Sequence, residues 1–182
     1  TIENVNAPSV TTMKQADAEK LLKDKKLIAE VEEVYYSKGS NYEYAPVGYV
    51  IKQEPASGSS IAEGSTVKIY VNKGFSANIT VNLPSDLKLE QYYVSLWADG
   101  VAVAESKMLD ATQLSKYTFE NVTSKRDSGT YTVKIRSASS NALDYQVLTV
   151  DFKEGTAKRV GSYDDYKKLD ADTSSSDNED FN

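Results

Sequence analysis

The chain has 182 residues, 40% of them hydrophobic, and a formal net charge of −6, which allows one large domain or two small ones. It holds no Cys and no His. Disulfides, thiolate nucleophiles, Cys-type zinc sites and a Ser-His-Asp triad are therefore excluded, and the commonest acid–base group is missing. The acidity argues against nucleic acid as a partner, because binding a phosphate backbone needs a basic surface. It is also uneven. From Asp164 onward, Asp164, Asp165, Asp170, Asp172, Asp177, Glu179 and Asp180 are opposed only by Lys167 and Lys168. The rest of the chain is close to neutral and can present a local basic patch.

Thr12 to Leu27 reads as a short helix. Thr12 and Gln15 have the spacing of a capping box. Ala18, Leu21 and Leu22 make one apolar stripe, and Lys23, Lys25 and Lys26 complement the negative end of the helix dipole. Ile28 to Tyr36 reads as a strand whose phase shifts at Val34, which predicts a bulge near Glu32 and Glu33. Ser37 to Val47 is a loop. Gly48 to Glu54 is a second strand, ended by Pro55, and Ser57-Gly58-Ser59-Ser60 is a turn. Thr66 to Asn72 alternates, with Val67, Ile69 and Val71 on one face and Lys68, Tyr70 and Asn72 on the other. One helix packed on a small antiparallel sheet buries both apolar faces.

Past a short joint at Gly74-Phe75-Ser76, where Phe75 is expected to be partly buried, the pattern is all-β. Ile79, Val81 and Leu83 alternate, as do Tyr92, Val94 and Leu96. Asp99-Gly100 is a two-residue hairpin signal leading to Val101 and Val103. Tyr117 and Phe119 share a face, Tyr131, Val133 and Ile135 alternate, and Leu143 to Phe152 is a last long strand. Short strands between turn signals predict a sandwich, with Trp97 in its core. From Ser162 the chain is polar, acidic and serine-rich, which predicts disorder. No apolar run approaches the roughly 20 residues of a transmembrane helix. The chain opens on Thr1 with no visible signal peptide, so any anchor is expected outside it.

Ala7-Pro8-Ser9-Val10, Met13, the helix with Ala18, Leu21 and Leu22, and Leu27 lead to the stretch Gly48-Tyr49-Val50-Ile51-Lys52-Gln53-Glu54-Pro55-Ala56-Ser57-Gly58. Glu63-Gly64-Ser65-Thr66-Val67 and Val71-Asn72-Lys73-Gly74 follow. These segments, in this order, resemble a PASTA domain, the extracellular module of bacterial serine/threonine kinases and penicillin-binding proteins. Lys26 departs from the family's helix-ending Gly, and the Ser37 to Val47 loop is longer and more aromatic than usual. In the second part, Asp127-Ser128-Gly129-Thr130-Tyr131 resembles the tyrosine-corner segment of immunoglobulin-like sandwiches. The expected organisation is an α+β PASTA domain over residues 1–74, with one helix on a three-stranded antiparallel sheet. An all-β Ig-like sandwich over 75–161 and a disordered acidic tail over 162–182 complete it.

The resemblance implies a sensor region outside a bacterial cell, tethered by an upstream transmembrane helix of a PASTA-containing serine/threonine kinase, with peptidoglycan fragments or muropeptides as ligand. It leaves dimerisation of the parent kinase open. Two alternatives stand beside it: the non-catalytic region of a penicillin-binding protein, and a surface spacer or adhesion module without a small ligand. No phosphate loop, kinase signature, metal set or cofactor motif is present, so the region is expected to be non-catalytic and to need no cofactor. Candidate ligand contacts are Tyr35, Tyr36, Tyr42 and Tyr44, whose rings offer apolar faces with polar tips, and Lys52 and Glu54, of which Lys52 suits a carboxylate. The plainer reading is that these tyrosines pack on the sheet or solvate a loop, and that Lys52 protects an exposed strand. Two glycosylation-type triplets, Asn78-Ile79-Thr80 and Asn121-Val122-Thr123, carry no weight in a bacterial protein.

Overall fold

The computed structural model describes residues 2–40, 45–112 and 114–169. It divides into two compact units, Thr1–Ser76 with Thr123–Asp127, and Ala77–Val122 with Ser128–Asn182.

In the first unit, strand β1 (Asn4–Asn6) precedes helix α1 (Gln15–Asp24), β2 (Ile28–Tyr36), β3 (Val50–Glu54), β4 (Ser60–Ala62) and β5 (Thr66–Asn82). β1 and β4 form a two-stranded sheet, and β5 lies between β2 and β3. The core joins Val10, Ala18, Leu22, Leu27, Val50, Val67, Ile69 and Val71. The expected apolar faces of helix and strand therefore meet as the periodicity requires.

The sheet is not wholly antiparallel. β3 runs antiparallel to β5, but β2 runs parallel to it. Alternation assigns faces and says nothing of direction. Direction follows from two backbone bonds that hold the starts of β2 and β5 side by side. Gly64 N–H donates to Lys26 O at 2.8 Å, and Ile28 N–H donates to Ser65 O at 2.9 Å. The bulge expected near Glu32 and Glu33 does not form in β2: the register shifts between Val34 and Tyr35 because β5 carries the extra residue, Lys73.

The capping box does not form. Thr12 has φ 72°, and the helix starts at Gln15 without a side-chain cap. The backbone takes over that role: Gln15 N–H donates to Gly48 O at 3.0 Å, while Thr12 and Met13 bond to Val50. Residues 12–14 are thus held against the entry to β3 before they can join a helix. At the other end Lys26 adopts φ 62°, and Leu27 N–H reaches back to Leu22 O at 2.9 Å. That turn keeps the left-handed geometry usually given to Gly.

The second unit continues with β6 (Gln91–Ala98), β7 (Val101–Glu105), β8 (Leu109–Asp110), β9 (Lys116–Ser124), β10 (Ser128–Arg136), β11 (Leu143–Asp151) and β12 (Thr156–Ser162). One sheet has the order β12-β11-β10-β6-β7, with β8 also on β6, and β9 pairs with β5. Ile79 and Val81 are buried, as are Tyr92, Val94, Leu96, Val133, Ile135, Leu148 and Val150. Asp99 and Gly100 have φ 51° and 76°, the paired positive angles of a type I′ hairpin.

Trp97 is half-buried, not in the core. Its Nε1 donates to Ser95 Oγ at 2.8 Å, and Lys134 Nζ lies 4.4 Å from its ring centroid. The alternation of buried Tyr92, Val94 and Leu96 turns Trp97 to the opposite face of β6. Tyr131 is buried over Gly129, where a Cβ would come within 3.1 Å of the ring. Expected disorder from Ser162 is corrected as far as Leu169. A short 3-10 turn, Asp165–Lys167, follows β12, and Tyr166 and Leu169 are buried. Two apolar side chains three residues apart suffice to dock this turn despite its polar neighbours. The remaining tail, 170–182, lies outside the described residues.

Two substitutions test this packing. Gly74 has φ 147°, and a Cβ there would lie 2.2 Å from the Ser124 carbonyl oxygen. Gly74→Ala is expected to cost about 2–4 kcal/mol from backbone strain and overpacking, and an unchanged urea midpoint would contradict this. Tyr92 is fully buried, and its hydroxyl has no hydrogen-bond partner among the described residues. Burial raises its pKa to about 12. Tyr92→Phe removes an unsatisfied group and is expected to stabilise the protein by about 1 kcal/mol. A lower thermal midpoint would show that the hydroxyl is satisfied.

Candidate functional site

A bulge between Val50 and Lys52 in β3, together with alternation in β5, sends Lys52, Glu54, Lys68 and Tyr70 to the face opposite the core. Register sets Lys52 beside Tyr70 and Glu54 beside Lys68, and Glu32 of β2 beside Tyr70 on the other side. Lys52 Nζ lies 3.0 Å from Glu54 Oε1, with both side chains 51% exposed. The same ammonium lies 5.0 Å from the Tyr70 ring centroid, a cation–π distance. Lys68 Nζ is 3.9 Å from Glu32 Oε2. Hydrogen bonds from Lys52 and then Tyr70 hold the Glu54 carboxyl below its ordinary pKa. Tyr70 is shifted up, first by partial burial and then by its bond to Glu54. The result is an exposed strip of alternating charge around one tyrosine ring.

Lys52 and Glu54 stand out in the sequence as charged strand residues, whereas Tyr70 shows there only which face it takes. Cross-strand register was the missing signal. Lys52 is also less available than expected, since Glu54 already compensates its charge. Tyr35 and Tyr36 are not gathered into this group. They pair in register with Gly74 and Phe75, about 13 and 17 Å from Tyr70 along β5 at roughly 3.3 Å per residue. Tyr35 is 39% exposed. Tyr36 packs edge-to-face on buried Phe75, with ring centroids 6.0 Å apart. Tyr42 and Tyr44 lie outside the described residues.

The loop that leads to them is anchored by Asn72, which alternation placed on the outer face but which is buried. Its Nδ2 donates to Ala45 O, and its Oδ1 accepts from Gly74 N–H at 3.0 Å. Its backbone N–H donates to Tyr49 O at 2.9 Å, while its carbonyl accepts from Gly48 N–H at 2.7 Å. Gln53 fixes the N-terminal arm similarly. Its Oε1 accepts from Val10 N–H at 2.9 Å, and its Nε2 donates to Pro8 O at 2.9 Å.

The second unit also joins cations to rings, a grouping that its sequence had not suggested. Besides Lys134 on Trp97, Arg136 stacks 4.1 Å from the Tyr93 centroid and makes a 2.8 Å contact with Glu105. Lys134 lies 3.5 Å from Asp144. These cations are compensated and tie β6, β7, β10 and β11 together. Among the described residues no group of three His, Cys, Asp or Glu side chains could hold a metal ion, and no helix is long and apolar enough to cross a membrane.

Residues 5–73 match the family model of the PASTA domain. This segment is a PASTA domain. Its match covers the helix, the sheet and the Lys52–Glu54–Tyr70 strip, and stops short of Gly74. No curated protein matches the chain. Among solved structures it is similar to the extracellular region of the Ser/Thr kinase PrkC from Staphylococcus aureus, with 24% identity and a TM-score of 0.34. The alignment covers 90% of this chain and 53% of that one, so the chain spans about half the length of that relative.

The strip makes a pH prediction. A depressed Glu54 pKa means that its pairing stabilises the folded PASTA domain above the ordinary glutamate value, about 4.3. That contribution fades as pH falls through the lower folded value. Carboxyl NMR titration is expected to place Glu54 below an ordinary glutamate, and to move it up in Lys52→Ala. An ordinary value in the parent, or no change in the variant, would contradict the pairing.

Proposed function

We propose that this chain is part of the extracellular sensor region of a membrane-anchored PASTA-containing serine/threonine kinase, and that its PASTA domain binds peptidoglycan fragments weakly. The observation that carries the reading is the exposed Lys52–Glu54–Tyr70 strip on a domain matched over residues 5–73. PASTA domains are associated with peptidoglycan-type ligands, whose peptide stems carry both ammonium and carboxylate groups. Lys52 and Glu54, each half exposed, exchange their mutual contact for such groups, and Tyr70 covers the alkyl part between them. Tyr35 and Tyr36, consecutive on β2 and so facing opposite ways, lie apart from this strip. An open sheet face makes an exposed ion pair worth only about 0–1 kcal/mol, so affinity lies in the micromolar to millimolar range, on the order of −4 to −8 kcal/mol. Linked repeats in a parent chain raise this through avidity.

The second unit is read as an Ig-like sandwich. The order β11-β10-β6-β7 corresponds to strands G, F, C and C′ of that fold, and the β5–β9 pair to B and E. Leu83 N–H donates to Ser115 O, Thr80 meets Thr118, and Asn78 Oδ1 accepts from Asn121 N–H. One number falls as the other rises, as antiparallel B–E pairing requires.

Titrating isotope-labelled protein with a synthetic muropeptide tests the functional reading. Saturable shifts at Lys52, Glu54 and Tyr70 are expected, with weaker binding in Tyr70→Ala. No change at millimolar ligand, or changes confined to the second unit, would overturn it.

A further inference from the structure

We infer that the second unit carries a saccharide-binding cleft of its own, independent of the PASTA face. A cavity of about 360 Å³ opens between the segment after β5 and the end of β12. That volume is at the small end of the roughly 300–1,000 Å³ typical of ligand sites, which suits one or two sugar rings. Tyr145, Tyr163, Tyr166, Asp86, Gln146 and Ser85 line it.

Its floor is rigidly built. Tyr145 Oη donates to Asn82 O at 2.8 Å. Tyr166 packs edge-to-face on Tyr145 at 4.9 Å, and its hydroxyl donates to both Asp86 oxygens, at 2.9 and 3.1 Å. Tyr163 N–H donates to Tyr145 O at 2.8 Å, while the Tyr163 side chain is 43% exposed. The backbone is thus fixed and the ring remains accessible.

The groups left over select the ligand class. The Gln146 amide and the Ser85 and Tyr163 hydroxyls make no hydrogen bond with other described residues, so the cleft offers donors and acceptors together. Asp86 retains acceptor capacity, but Lys167 Nζ, 3.6 Å away, already compensates its charge. A cationic ligand gains little there, and an anion meets Asp86 and Asp164. A pyranose matches the remainder: its hydroxyls both donate and accept, and its C–H face covers an exposed tyrosine ring.

The test uses the whole labelled chain with three probes: N,N′-diacetylchitobiose, cellobiose and tetramethylammonium. Saturable shifts at residues 83–86, 145–146 and 162–166 are expected with at least one disaccharide. Tyr163→Ala and Gln146→Ala, two substitutions outside the core, are each expected to weaken binding roughly five- to tenfold while leaving the remaining spectrum in place. No saturable shift with either disaccharide, a response to tetramethylammonium alone, or undiminished binding in both variants would overturn the inference. Disaccharide shifts confined to residues 5–73 would also overturn it, while leaving the PASTA reading standing.

Discussion

Everything in the first unit hangs on the burial of one row of side chains. Val67, Ile69 and Val71 of β5 are fully buried against Ala18 and Leu22 of the helix. Apolar area removed from water contributes about 25 cal/mol per Å², so this row is the main favourable term available to a unit with one short helix. Burying that face commits the opposite one. Lys68 and Tyr70 must point outward, and β2 and β3 must bring Glu32, Lys52 and Glu54 to the same side. The exposed strip is thus a consequence of the core and not a separate feature.

Two buried polar residues convert this packing into a single arrangement of loops. Gln53 takes the inward place between Lys52 and Glu54 and buries an amide there, which is tolerable because both its oxygen and its nitrogen are bonded. Asn72 does the same on β5. Unpaired, either group would cost about 1–3 kcal/mol. Paired, they hold the N-terminal arm and the approach to β3. Tyr92, whose buried hydroxyl has no partner among the described residues, shows the contrast within the second unit.

Much of this was legible because periodicity is a direct imprint of burial. The alternation of Val67, Ile69 and Val71, the Ala18–Leu22 stripe and the Asp99-Gly100 hairpin all read correctly. What was not legible depended on partners distant in sequence. The parallel direction of β2 rests on Lys26 and Gly64, the missing helix cap on Gly48, and the inward turn of Asn72 on Ala45. The same holds for the site. Lys52 and Glu54 stood out as charged residues, but their coupling through Tyr70 needs strand register. In the second unit, β12 was missed because nearly all its side chains are exposed, leaving no alternation to read. Tyr166 and Leu169 were hidden by their acidic neighbours.

Native-state hydrogen exchange with and without a synthetic muropeptide tests most directly the proposed link between the buried row on β5 and ligand contact on its reverse side. Without ligand, the amides of Val67 to Val71 should exchange through global unfolding, more slowly than those of β1. With ligand, protection should rise along β3 and β5 around Lys52, Glu54 and Tyr70. Exchange in β5 as fast as in β1, or ligand-induced protection found only beyond residue 76, would contradict it.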